Sequence, residues 1–245
     1  MSTTRDVGVV IVAGGSSTRT GGRPSGSGGA AEAVESRELK QFRWVAGKPA
    51  LLHSVQTFMA RPDVVSVVAV LPREYAGDPP PWLFQCDVDR LMVSTGGRTR
   101  TESVGNGLDD LPDEADIVLI HDAARPLVDD QTIDRVIAAV RAGNCAIAAL
   151  PVVDTLKEVD ESDRIVRTVE RERLWRAQTP QGFPREVIVR AHRDAKTNRI
   201  SATDDAALCE RLGIPVVVVR GSERAMKITD ERDFARAEAL FMLSE

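Results

Sequence analysis

"VGVVIVAGGSSTR", residues 7–19, opens on six apolar or small residues and then empties into glycines, serines and an arginine. An unalternating run of this kind suits a strand buried on both faces. A strand that ends in small residues and a cation commonly feeds a phosphate-binding turn. The same kind of run recurs in "VVSVVAVL" (64–71), "DIVLIHD" (116–122), "CAIAALPV" (145–152) and "PVVVVRG" (215–221). Helical patterns lie between them. In "DDQTIDRVIAAVRAG" (129–143), Ile133, Val136, Ile137 and Val140 keep the i, i+3, i+4, i+7 spacing, and Gly143 is placed to stop the helix. In "TDERDFARAEALFMLSE" (229–245), Phe234, Ala237 and Phe241 share a face behind Thr229 or Asp230 as N-cap. Strand–helix alternation of this sort predicts a doubly wound α/β domain with a mostly parallel sheet and right-handed crossovers. Its ligands should collect at the carboxyl ends of the strands.

Two segments interrupt the rhythm. Residues 20–38, "TGGRPSGSGGAAEAVESRE", have few bulky apolar side chains and read as a mobile surface insertion loop. Residues 152–170, "VVDTLKEVDESDRIVRTVE", read as two strands around the polar turn "DESD", a protruding β-hairpin arm. An isolated hairpin is marginal in water, so the arm is expected to pack on a second subunit.

Bulk properties narrow the function. The net charge of −5 argues against a general nucleic-acid binder, so an anionic ligand must be caught by local cations. No apolar run approaches the roughly 18 residues needed to cross a bilayer, and the N-terminus lacks a signal-peptide layout. Cys86, Cys145 and Cys209 are far apart and form no CxxC pair, which points to reduced thiols and a cytoplasmic protein. The Walker pattern fails because Gly47–Lys48 is followed by Pro49. The GxGxxG fingerprint is missing after the first strand.

What remains is a set of charged residues at predicted strand ends: Arg19, Lys40, Asp122, Arg125 and Lys227. An aspartate among phosphate-binding cations suits a magnesium ligand, because the ion bridges carboxylate and phosphate oxygens. Arginine and lysine beside an α-phosphate would stabilise the charge of an in-line displacement. Singly, Arg19 or Lys40 reads as a solvated loop cation, and Asp122 equally as a turn former. His121 reads as structural, because attack by a phosphate needs no acid–base group. The combination carries the argument.

Seven blocks then occur in order across nearly the whole chain: "VIVAGGSSTR…KQF", "STGGRTRTESV", "VLIHDAARPLV", "PVVDTLKEV", "TVERERLWRAQTPQGF", "TDDAALCERLG" and "MKITDERDF". Together they resemble the 2-C-methyl-D-erythritol 4-phosphate cytidylyltransferase family of the non-mevalonate isoprenoid route. The resemblance implies a Rossmann-like nucleotidyltransferase fold in a single domain over 1–245. It implies transfer of CMP from CTP to a sugar-alcohol phosphate, with magnesium and a homodimer joined through the arm. By the same resemblance Ala13, Gly14 and Gly15 would wrap the nucleotide, and Gly97, Arg100 and Ser103 would face cytosine and ribose. Arg19, Lys40 and Lys227 would be catalytic, and Asp122 would associate with the metal. Arg125, Thr155, Arg171, Thr179 and Thr203 would surround the sugar phosphate, Thr155 and Arg171 reaching in from the neighbouring subunit. The family's usual Pro-Ala-Ala-Gly opening is "VAGG" here, and Arg98 stands where an acidic or polar residue is common. The alternatives are a ribitol-5-phosphate cytidylyltransferase, a transferase for another nucleotide, and a nucleotide-binding domain without catalysis.

Overall fold

In the computed structural model the described residues are 4–14 and 39–243. Gly15, Arg19 and the 20–38 insertion lie outside them. The chain begins with β1 (Val7–Val12), a short ribbon of β2 (Trp44–Val45) and β3 (Lys48–Pro49), α1 (Ala50–Met59), β4 (Val64–Leu71) and the one-turn α2 (Arg73–Ala76). It continues through β5 (Leu91–Thr95), α3 (Arg100–Asp109), β6 (Ile117–Asp122), α4 (Asp130–Arg141) and β7 (Cys145–Pro151). Then follow β8 (Leu156–Val159), β9 (Ile165–Val169), β10 (Trp175–Pro184), α5 (Arg185–Asn198), α6 (Asp205–Arg211), β11 (Val216–Arg220) and α7 (Glu231–Met242).

Seven strands form one sheet in the order β11-β7-β10-β6-β1-β4-β5. Strand β10 pairs antiparallel with both β6 and β7, and every other pairing in the sheet is parallel. The mostly parallel sheet is therefore as expected. The strands alternate sides as the pleat requires. Val7, Val9 and Ile11 of β1 pack with Leu51, Phe58, Ile133 and Val136 on the α1/α4 face. Val10 of the same strand packs with Val104, Ile188 and Leu208 on the α3/α5/α6 face. Burial on both faces is what allows unbroken valine and isoleucine runs.

One of those runs behaves differently. "PVVVVRG" forms β11, which is the sheet's outer strand, and Val217 and Val218 are 38% and 44% exposed. Burial of that run on both faces is thus corrected: an edge strand has a neighbour on one side only, and a valine run does not report its place in the sheet order. Strands β5 and β10 were not foreseen, because "LMVST" is short and "WRAQTPQGFP" carries too many polar residues to signal a strand.

The helix ends follow their chemistry. Asp129 caps α4 by accepting from the Thr132 amide at 2.7 Å, and Gly143 beyond its end takes φ +88°. Asp230 and Asp233 form a reciprocal capping box at the start of α7. The arm appears as its own two-stranded sheet of β8 and β9, closed by a turn in which Asp160 Oδ1 accepts from the amides of Ser162 and Arg164. Val159, Ile165 and Val166 on it are about half exposed or more.

Gly182 of β10 lets α4 lie close against the sheet. A Cβ there would sit 2.5 Å from Val136 Cγ1 and 2.9 Å from Val140 Cγ2. Gly182→Ala is expected to destabilise the fold by about 1–3 kcal/mol through overpacking, read as a lower melting temperature. An unchanged melting point would mean that α4 moves away without cost.

Candidate active site

All sheet strands except β10 run in one direction, so the ends of β1, β4, β5 and β6 meet at one edge. The amino-terminal half of β10 enters there. A cleft of about 230 Å³ lies at this edge, lined among others by Arg100, Asp122, Arg125, Thr179, Thr203 and Lys227. These six expected residues are thus brought together from separate parts of the chain.

Asp122, the last residue of β6, is at the centre. Its Oδ1 accepts from Arg100 Nε at 3.3 Å and its Oδ2 from Lys227 Nζ at 2.8 Å. Burial alone would raise this carboxyl, but Arg100, then Lys227 and Arg125, outweigh it and hold it well below the usual carboxylate range. Arg125, in the turn after β6, donates from Nη1 to the Ala225 carbonyl at 2.8 Å, which ties the Asp122 turn to the segment carrying Lys227. Its Nε is buried and has no hydrogen-bond partner among the described residues. A buried donor left open beside a cation cluster suits an anionic ligand.

His121 is fully buried, and burial pushes its pKa down to about 4, so the ring is neutral at pH 7. Its Nε2 lies 3.2 Å from the Arg125 carbonyl, which only accepts, so Nε2 carries the proton. Nδ1 is then an acceptor, and Thr179 Oγ1 donates to it at 3.1 Å while receiving the Asp122 amide at 3.1 Å. One lone pair of Thr179 is left for the cleft. Thr179 can therefore accept from a substrate hydroxyl but cannot donate to a phosphate. Both ring nitrogens of His121 are thus engaged within the protein.

That neutral imidazole sets a pH dependence. The unfolded chain takes up a proton near 6.5, and the folded one only near 4. The stabilisation, about 3 kcal/mol, is complete above pH 6.5 and is lost as pH falls toward 4. His53 acts in the same direction. The expected result is that His121→Gln flattens the acid limb of the melting-temperature profile between those pH values. An identical limb in variant and wild type would remove this account.

The expected glycine turn does not line this cleft but lies next to it, following β1, whose last residue Val12 pairs with Asp122. A Cβ on Gly14 would lie 3.1 Å from Ser103 Oγ and 3.3 Å from Gly96 Cα, so the ends of β1 and β5 touch through backbone. Gly97 N donates to Ser103 Oγ at 3.0 Å, and that hydroxyl donates to the Thr99 carbonyl at 2.9 Å. Ser103 thus shapes the turn. Ala13 is anchored through its carbonyl by Gln41 Nε2 at 2.6 Å. Lys40 does not line the cleft; its Nζ donates to the carbonyl of Thr229, two residues beyond Lys227. Thr155 and Arg171 are exposed on the arm, outside the cleft of their own chain, with Arg171 Nη1 donating to the Val153 carbonyl.

A model of the 2-C-methyl-D-erythritol 4-phosphate cytidylyltransferase family, IspD, matches residues 25–243. The chain belongs to this family. The Streptomyces coelicolor cytidylyltransferase is 45% identical over 211 residues, 82% of this chain and 77% of that protein. The Syntrophus aciditrophicus cytidylyltransferase is 39% identical over 222 residues, 89% of this chain and 94% of that one. The crystal structure of the Thermus thermophilus enzyme superposes with a TM-score of 0.76 at 33% identity, over 96% of this chain and 98% of its own. The family match decides against the ribitol-phosphate alternative and supports the nucleotidyltransferase fold that the resemblance implied. No helix among the described residues is long and apolar enough to cross a membrane.

The "QTPQGF" stretch (178–183) of this cytidylyltransferase acquires a physical role. Gln178 exchanges hydrogen bonds with Ser222 (Nε2 to the carbonyl at 2.9 Å, Oε1 from the amide at 3.1 Å). Gln181 Oε1 accepts from the amides of Asp205 and Ala206, and its Nε2 donates to Asp204 Oδ2 at 2.9 Å. Thr179 holds the end of β6. Side chains of β10 therefore fasten three different segments around the cleft. Ala177, Gln178, Gln181 and Asp204 line it too, and the sequence reading missed all four. The signal was present in the two glutamines and the paired aspartates of "TDDAAL". Their partners lie 23 to 47 positions away.

Proposed function

We propose that the cleft transfers CMP from CTP to 2-C-methyl-D-erythritol 4-phosphate and releases pyrophosphate. An oxygen of the sugar phosphate attacks the α-phosphorus while the bond to the pyrophosphate oxygen breaks, in line. The nucleophile is already anionic, so no general base is required. A neutral, doubly hydrogen-bonded His121 accords with that. The observation that carries the reading is the gathering of Arg100, Arg125 and Lys227 about Asp122, beside a turn whose backbone is bare at Gly14. These cations would neutralise phosphate charge as it redistributes, and the glycine turn would admit the nucleotide.

Magnesium fits the donor set. Among the described residues no group of three or more His, Cys, Asp or Glu side chains makes a cage. Magnesium commonly takes one or two carboxylates plus substrate phosphates. Asp122 would hold it, and when bound it would polarise the α-phosphate. Arg19, by the family pattern, would join Lys40 on the transition-state charge.

The exposed apolar arm, together with the distance of Thr155 and Arg171 from their own cleft, supports a homodimer in which each arm completes the partner's site. Arg171→Ala is then expected to raise the KM for the sugar phosphate about tenfold and to spare that for CTP, as loss of a charged hydrogen bond would. An effect confined to CTP would contradict the arm assignment. The main reading is tested by pyrophosphate release from each of four nucleotides with methylerythritol phosphate and ribitol phosphate. Turnover only with CTP and methylerythritol phosphate is the expected outcome, and release with another pairing would overturn it.

A further inference from the structure

Behind the cleft lies a second carboxylate that does not line it. Asp205, the first residue of α6, is 1% exposed. Its Oδ2 accepts from Arg100 Nη1 at 2.7 Å, and its Oδ1 accepts from His192 Nε2 at 3.0 Å. His192 comes from α5 and is itself buried. Both carboxylate oxygens are thereby committed, as a buried charge requires. The backbone is fixed as well, because Gln181 Oε1 receives the amides of Asp205 and Ala206.

Arg100 consequently sits between two carboxylates, with Nε toward Asp122 and Nη1 toward Asp205. Its Nη2 has no partner among the described residues. A guanidinium with a single carboxylate neighbour tends to close onto it as a bidentate fork. The fork on the Nε edge uses Nε and Nη2, and Asp205, gripping Nη1 on the opposite edge, fixes the guanidinium plane so that only Nε meets Asp122. Asp122 then keeps an oxygen available to Lys227, and Arg100 keeps donors available to a ligand.

We propose that Asp205, held from behind by His192, is a positioning residue that sets the Arg100 guanidinium for the nucleotide. This deepens, and rests on, the cytidylyl-transfer reading of the same cleft. Asp205 acts through Arg100 and touches no reacting atom. His192 acts one step further back, by donating from Nε2 to keep the carboxylate in one rotamer.

The test compares Asp205→Asn, His192→Phe and His192→Gln with wild type. It uses steady-state kinetics on both substrates, calorimetric CTP binding and thermal melting. Asp205→Asn keeps the shape and removes the charge. The expected result is a KM and a Kd for CTP about tenfold higher, with the KM for the sugar phosphate within about twofold of wild type. His192→Phe should shift the CTP constants in the same direction, and His192→Gln, which restores an N–H donor, should return them toward wild type. Lower melting temperatures with unchanged CTP constants would overturn the proposal, as would a glutamine variant no better than phenylalanine. The histidine pair decides the matter if Asp205→Asn does not fold. A wild-type protein that releases no pyrophosphate from CTP would overturn both readings. An active wild type whose CTP constants are matched by Asp205→Asn and His192→Phe would overturn the positioning role alone.

Discussion

Asp122→Asn is expected to lower kcat by about a thousandfold, with a KM for CTP that is unchanged or lower. The asymmetry follows from charge. Asp122 is the carboxylate on which Arg100 and Lys227 converge, and Arg125 adds to the field that keeps it ionised. Removing it loses the one side chain assigned to the metal, yet it makes the cleft more positive toward a triphosphate. Ground-state binding should therefore survive while the chemical step fails. The substitution also leaves cations with an unpaired, partly buried charge, so the free variant should melt at a lower temperature and recover disproportionately when CTP is saturating. Steady-state kinetics and melting with and without CTP check both halves. A variant that turns over normally but binds CTP poorly would exclude the assigned role.

Lys40→Ala is expected to reduce kcat by about a hundredfold and to change CTP affinity by no more than about threefold. The ammonium rests on the Thr229 carbonyl, so in the free protein it is held near Lys227 but outside the cleft lining. A cation in that position adds little to nucleotide capture. By the proposed assignment it would contribute when negative charge builds during displacement. Single-turnover rates alongside equilibrium CTP titration separate the two, and equal losses in both would mark Lys40 as a ground-state anchor.

Much of the candidate site was legible because its residues follow strand ends. Asp122 is legible as the polar terminus of "DIVLIHD", and Ala13 and Gly14 as the small residues after "VGVVIV". Arg100 and Ser103 were reached through the resemblance, and the structure adds that Ser103 acts on the turn backbone. Lys40 was expected among the phosphate cations, and its Nζ rests on the Thr229 carbonyl just before α7. Gln178, Gln181, Asp204 and Asp205 escaped notice because a glutamine or aspartate has no periodicity. Its meaning depends on which amide or guanidinium comes to face it.

By itself the sequence determined most of the strands and the helices that cover them, but not β5, β10 or the exposure of β11. Runs of β-branched residues mark strands, helical stripes mark the helices that cover them, and caps such as Asp129 and Asp230 fix the helix starts locally. The tertiary structure alone decided strand order, with β11 at an edge and the antiparallel β10 inserted between β6 and β7. It also decided that one carboxylate of "TDDAAL" would be buried against Arg100 and His192. Those outcomes depend on contacts between segments distant along the chain, where hydrogen-bond geometry and counter-charge act only once the sheet has brought the partners within reach.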